Sequence, residues 1–190
     1  MRKNLAFLIF SVFLCLFCSY SAVSGASLEE VRLSEEDFQP LTPFLRELPG
    51  WEGGVIELSL DEDERGGVLS RSYTKGKALL EIRIMIGGGV ASYLGGMIPG
   101  MLLMESDAVR IERYSFAGFP AVIRQEKGSP AGALAVLLGG EKPESSQEEW
   151  DALVLFVYEG ITSADVEQLA KSVDLQGVQH VVGSSGRVQQ

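Results

Sequence analysis

Cysteine and histidine are nearly absent from this sequence: Cys15 and Cys18 are the only cysteines, and His180 is the only histidine. Both cysteines fall in an N-terminal stretch expected to be cut away. The mature chain would then have no disulfide, thiol nucleophile, CxxC redox pair, covalent haem site or thiolate metal site. His180 stands in residues 177–190, where glycine, serine and glutamine predict a disordered tail. A histidine that nothing orients cannot serve a Ser-His-Asp or Cys-His relay, and a single one cannot build a His-rich zinc centre. Basic residues are scarce as well, 16 against 26 acidic ones. Such a surface repels phosphate backbones, which argues against nucleic acid as a partner, and it suits cationic partners or divalent ions.

What is present begins with a signal. Arg2 and Lys3 precede an apolar run from Leu5 to Phe17, and small residues follow at Ser24-Gly25-Ala26. A basic start, a short apolar stretch and a small-x-small site make residues 1–26 a cleavable signal peptide, which predicts secretion across the inner membrane into the periplasm. The apolar run of about 13 residues is shorter than the roughly 20 a spanning helix needs. A lipoprotein is excluded too, because Leu14 and Phe17, not small residues, precede the two cysteines. Removing Arg2 and Lys3 leaves 14 basic residues against 26 acidic, a net charge of −12. The remainder, residues 27–190, suffices for one domain with a real core, expected over 27–176.

Along that remainder, Ser27–Gln39 is acidic and weakly patterned. Leu41–Leu48, bounded by Pro40 and Pro49-Gly50, predicts a short helix. Val55–Leu60 alternates and is a strand candidate. Val68–Thr74 and Ala78–Ile86 flank Lys75-Gly76-Lys77 as a β-hairpin. In the second of these, Leu80, Ile82, Ile84 and Ile86 share one face, with Glu81 and Arg83 on the other. Gly87–Met104 predicts a helix crossing the sheet, kinked near Pro99-Gly100. Strands resume at Val109–Phe116 and Ala121–Glu126 around a turn at 117–120. Ala133–Leu138 and the apolar run Ala152–Glu159 follow, the last placed mid-sheet. Thr162 with Asp165 predicts a capped helix whose buried face is Val166, Leu169, Ala170 and Val173. The sum is α+β: an antiparallel sheet of about six strands, a meander, with a crossing helix and a C-terminal helix packed on it.

Candidate sites each have a plainer alternative. Asp61-Glu62-Asp63-Glu64 could offer carboxylate oxygens to Ca²⁺, but Arg65 and Ser72 occupy ligand positions of the EF-hand register, so a solvated loop is preferred. Gly87-Gly88-Gly89 lacks both GxGxxG and GK[ST], which excludes a phosphate-binding loop. Ser184 within Gly183–Gly186 has no strand-turn-helix setting. Ile84–Met104 has no charge and includes the small-xxx-small spacing of Gly96 and Gly100. A buried crossing helix is preferred there, with contact to lipid or an apolar ligand as the alternative. Trp51 and Trp150 are taken as core or edge anchors. No catalytic, cofactor-binding or metal-binding residue is assigned, and no cofactor is expected.

Leu48-Pro49-Gly50-Trp51-Glu52, Ser70–Gly76, Ala78–Ile82 and Gly118-Phe119-Pro120-Ala121-Val122 resemble a set of uncharacterised bacterial exported proteins. The order of helices on a sheet is similar to Mog1/PsbP-like modules at the level of fold alone. The resemblance carries no catalytic residues with it. The expectation is a non-enzymatic periplasmic binding or accessory module, its partner an envelope protein or an apolar ligand. The alternative is a membrane- or lipid-contacting envelope protein that uses segment 84–104.

Overall fold

The alternating runs pair into one antiparallel sheet of seven strands, which makes this an α+β protein with one strand more than the six or so expected. The computed structural model describes residues 33–61, 66–87, 90, 108–139 and 152–185, within a compact unit that begins at Val31. The expected signal peptide, residues 62–65 of the acidic loop, Trp150 and residues 186–190 lie outside the described residues. So does the expected crossing helix, apart from Gly87 and Val90.

The strands are β1 (Glu52–Leu60), β2 (Gly66–Lys75), β3 (Ala78–Gly87), β4 (Val109–Phe116), β5 (Phe119–Glu126), β6 (Ala131–Leu138) and β7 (Ala152–Glu159). Their order in the sheet is β1-β2-β3-β7-β6-β5-β4. A single meander is therefore replaced by two, β1–β3 and β4–β7, joined along β3 and β7. Leu80 faces Tyr158 there, and Ile82 faces Phe156. β7 is central, and Ala152 through Phe156 are all fully buried, so its apolar run reflects burial on both faces. β1 extends the expected strand Val55–Leu60 back to Glu52. Its register slips between Gly53 and Ile56, and Val55 is 75% exposed. A bulge of this kind adds a residue and breaks the period of two.

Turn chemistry fixes the hairpins. Gly76, with φ of 62°, is the first residue of a two-residue turn between β2 and β3. Between β4 and β5 the turn is only Ala117-Gly118, both at positive φ (52° and 90°), so β5 starts at Phe119 and not at Ala121. Pro120 is tolerated because it pairs with Ser115 only, ahead of the β5–β6 register that opens at Ala121.

The helix expected at Leu41–Leu48 is corrected. The chain forms α1 (Glu35–Phe38) and then a 3₁₀ segment, Gln39–Phe44. Asp37 accepts hydrogen bonds from Ser34 N (2.7 Å) and Ser34 Oγ (2.9 Å) at the start. Pro40 and Pro43 have no N–H for an α-helical ladder, so the apolar spacing is met on a tighter backbone. Leu41, Leu45 and Leu48 are nevertheless buried. α2 (Ser163–Ala170) has the expected capping box. Asp165 N donates to Thr162 Oγ1, and Thr162 N donates to Asp165 Oδ2, both at 3.2 Å.

The disordered tail is a second correction, since α3 runs over Leu175–Ser185. Asp174 Oδ1 accepts from Gly177 N at 2.9 Å and starts this helix. Leu175, Val178 and Val182 form a buried stripe at spacings of three and four. Glycine and serine lower helix propensity by tenths to about 1 kcal/mol each. Burying one such aliphatic side chain returns about 1.5–3 kcal/mol, so packing decides.

The described helices share one face of the sheet and enclose the main core, in which Phe38, Leu41, Ile84, Phe156, Val166 and Val178 meet. The opposite face holds a smaller core of Met85, Val90, Ala135, Leu137, Leu153 and Leu155. Ile84, Met85 and Val90, which belong to the uncharged stretch, are thus buried in protein. Among the described residues no helix is long and apolar enough to cross a membrane.

Candidate functional site

At one corner of the sheet, polar residues take over the face that elsewhere holds the core. Strand alternation puts Arg110, Glu112, Tyr114 and Phe116 on the helix side of β4, and Ala121, Ile123 and Gln125 on the helix side of β5. Phe116, Ala121 and Ile123 are buried. Toward the other end of the two strands the surface opens into a groove of about 930 Å³, bounded by Arg110, Glu112, Gln125, Lys127, Pro130 and Thr162.

The β5–β6 turn forms the end of this groove. Lys127 N donates to the Ala108 carbonyl at 2.9 Å and Ser129 N to the Glu126 carbonyl at 3.3 Å. Gly160 N donates to the Pro130 carbonyl at 2.7 Å, which ties the turn to the chain entering α2. On the floor Arg110 and Glu112 form an ion pair, both side chains about half exposed. Such a pair adds little stability, but it cancels the charge of the floor.

Further along the same face the groove gives way to a polar trio. Tyr114, two residues past Glu112, donates its hydroxyl to Glu167 Oε1 of α2 at 3.1 Å. Tyr114 also meets Phe116 edge to face, with ring centroids 6.4 Å apart. Tyr158 of β7 is 3% exposed, and its hydroxyl has no hydrogen-bond partner among the described residues. Burial first, and the Glu167 carboxylate second, push both phenols up from the ordinary value of 10.0. They are therefore neutral at ordinary pH and act as hydrogen-bond groups, not as phenolate nucleophiles or bases.

Register explains how Tyr158 reaches this corner. Tyr158 faces Gly132, Gly132 faces Gln125, and Gln125 faces Arg110, so the four form one row across β7, β6, β5 and β4. A Cβ on Gly132 would lie 2.6 Å from the Tyr158 hydroxyl oxygen and 2.8 Å from Cζ. The ring therefore leans from β7 with its hydroxyl end over the bare backbone of Gly132. Glycine is required here by close approach, not by backbone angle.

The features singled out in the sequence fall elsewhere. His180 is exposed on α3, and Trp51 precedes β1 with the Lys75 ammonium 6.0 Å from its ring centroid. Asp61 ends the described part of β1's loop, and Asp61 N donates to the Gly66 carbonyl at 2.9 Å. Gly87 closes β3 at a φ of 78°. Among the described residues no three His, Cys, Asp or Glu side chains come together as a metal centre would need. Tyr114, Tyr158, Gly132 and Glu167 were not marked by sequence reasoning. One signal was available: Tyr158 shares strand parity with Val154 and Phe156, so its hydroxyl had to enter the core side. No protein-family model, curated protein or solved structure matches the chain.

Proposed function

We propose that this protein is a non-enzymatic binding or accessory module, exported to the periplasm, that receives its partner in the groove over β4 and β5. The observation that carries this reading is the groove itself. It is an open concavity of about 930 Å³ at the margin of the sheet, floored by an ion pair and an amide and not by a convergent set of reactive groups. Recognition sites are concave surfaces with a few placed polar groups, and this corner has that character. The acidic balance of the chain, 26 acidic against 16 basic residues, favours a cationic partner surface.

A photoreactive residue at Gln125, compared in living cells with one at Leu79 on the opposite face, tests the proposal. Leu79 is 49% exposed and serves as the control. A discrete partner captured from Gln125 and not from Leu79 is expected. Equal capture from both positions, or none from Gln125, would remove the groove from consideration. Cell fractionation with sequencing of the mature N-terminus checks export, for which a start at Ser27 is expected.

A further inference from the structure

We infer that the margin of the groove is a dimer interface, at which the β4 edges of two copies of this chain pair antiparallel about Ile111. This deepens the groove reading above and rests on it, with a second copy as the partner. Three observations converge. The first is position. β4 is an edge strand, and Arg110, Ile111 and Glu112, consecutive along it, all line the groove. Successive strand residues point to opposite faces, so an occupant that touches all three wraps the edge itself. The second is the backbone. Lys127 N donates to the Ala108 carbonyl, and alternation from there bonds Arg110, Glu112, Tyr114 and Phe116 to β5. Ile111, Arg113 and Ser115 therefore turn their N–H and C=O groups outward, where these meet no partner among the described residues. The β4 register is unbroken from Val109 to Phe116, whereas the other edge, β1, is blunted by its bulge.

The third observation is charge. Centred on Ile111, the pairing sets Arg110 opposite Glu112 of the second copy, and Glu112 opposite its Arg110. These are positions between the hydrogen-bonded pairs, where facing side chains lie closest. Within each copy Arg110 and Glu112 already form an ion pair, so the four groups become a ring of alternating sign. Sliding the second copy by one pleat repeat sets Arg110 against Arg110 or Glu112 against Glu112, and a further step past Glu112 sets Arg113 against Arg113. Charge thus selects one register, and the edge is complementary to itself, as a two-fold interface requires. The acidic excess of the whole chain opposes association. Beyond about 8 Å, however, it is screened at physiological ionic strength, whereas the facing charges are in contact.

The test is sedimentation equilibrium of the purified protein, from micromolar to submillimolar concentration, with charge-reversal variants. A reversible monomer–dimer equilibrium is expected. Glu112→Arg and Arg110→Glu should each weaken it by about tenfold or more, because like charges then face each other twice. The double variant Arg110→Glu/Glu112→Arg should restore it, since it exchanges the two charges and keeps their pairing. Both side chains are about half exposed, so the fold should hold, and circular dichroism melts check that it does. For the register, Arg110→Cys mixed with Glu112→Cys should form a mixed disulfide faster than either variant pairs with itself. Monomer at every concentration, a dimer indifferent to the single reversals, or a double variant no better than the singles would overturn the inference. So would disulfides with no preference for the mixed pair. If the protein stays monomeric while crosslinking from Gln125 captures a different protein, the dimer falls and the groove reading stands.

Discussion

The guanidinium of Arg71 occupies the space that a side chain on Gly53 would need: a Cβ there would lie 2.5 Å from Arg71 Nη2. The β1 bulge opens around this arginine. Arg71 Nε donates to the Gly54 carbonyl at 2.8 Å and Nη1 to the Leu45 carbonyl at 2.9 Å. Nη2 pairs with Glu47, and the guanidinium carbon is 5.4 Å from the Tyr73 ring centroid. Tyr73 in turn donates its hydroxyl to the Arg46 carbonyl at 2.9 Å. One cation thus fastens the chain after the 3₁₀ segment to the outer strands.

Arg71→Lys should therefore be costly although it keeps the charge. A lysine has no planar fork with which to reach two carbonyls and a carboxylate in different directions. Leaving the part-buried Leu45 carbonyl unmet, with the Gly54 bond lost as well, predicts a loss of about 1–3 kcal/mol in urea unfolding. Glu47→Gln is the contrast, because that side chain is 72% exposed. It should change stability by less than about 0.5 kcal/mol. Comparable effects of the two substitutions would refute the assignment of Arg71 as the fastening group.

Gly132→Ala should destabilise by about 1–3 kcal/mol. The added methyl would lie 2.4 Å from the Arg124 carbonyl oxygen as well as against Tyr158. A ring can swing away, but a paired backbone carbonyl of β5 cannot. Combining Gly132→Ala with Tyr158→Phe is expected to recover only part of the loss in thermal melts.

Ala117 is the one described residue other than glycine at positive φ, 52°. Two-residue hairpin turns of this type favour asparagine followed by glycine, and Gly118 is already in place. Ala117→Asn should stabilise the protein by about 0.5–1 kcal/mol, measured as a shift in denaturant midpoint without a change in slope. An unchanged or lower midpoint would mean that the turn is not strained.

Alkaline titration separates the tyrosines. Tyr73, Tyr114 and Tyr158 all have phenols pushed above 10.0, in each case by burial before any other cause. The folded state therefore keeps protons that the unfolded chain loses near that pH. The associated stability is fully present below about pH 10 and is lost as pH rises through the folded-state values. Absorbance near the phenolate band should show these three tyrosines ionising late and together with unfolding. Ordinary titration of these three at about pH 10 would contradict the packing described.

The strands were legible because burial leaves a period of two in sequence, as in Leu80, Ile82 and Ile84. Where local chemistry competes with packing, legibility fell. Pro40 and Pro43 turned a helical apolar spacing into a 3₁₀ segment. The glycines and serines of α3 masked the Leu175–Val178–Val182 stripe, whose burial outweighs their poor propensity. Beyond the strand parity of Tyr158, the polar trio was not legible. Tyr114 and Glu167 are 53 residues apart, and only the placement of β4, β7 and α2 brings them together. Nothing in local composition marks a tyrosine whose partner is decided by sheet order.

That sheet order also sets the sequence of events in folding. The two meanders can zip up locally, but the pairing that joins them, β3 with β7, is made last. Leu79 pairs with Glu159 and Ile86 with Ala152, contacts separated in sequence by up to half the length of the unit. Until that pairing forms, the apolar inner edges of β3 and β7 stand open, each a template for strands of other chains. Long-range pairing of this kind is slow to form because loop closure precedes any gain from contact. Late closure of the β3–β7 pairing makes the unfinished chain more prone to aggregate than the finished one, and dependent on whatever keeps nascent chains apart.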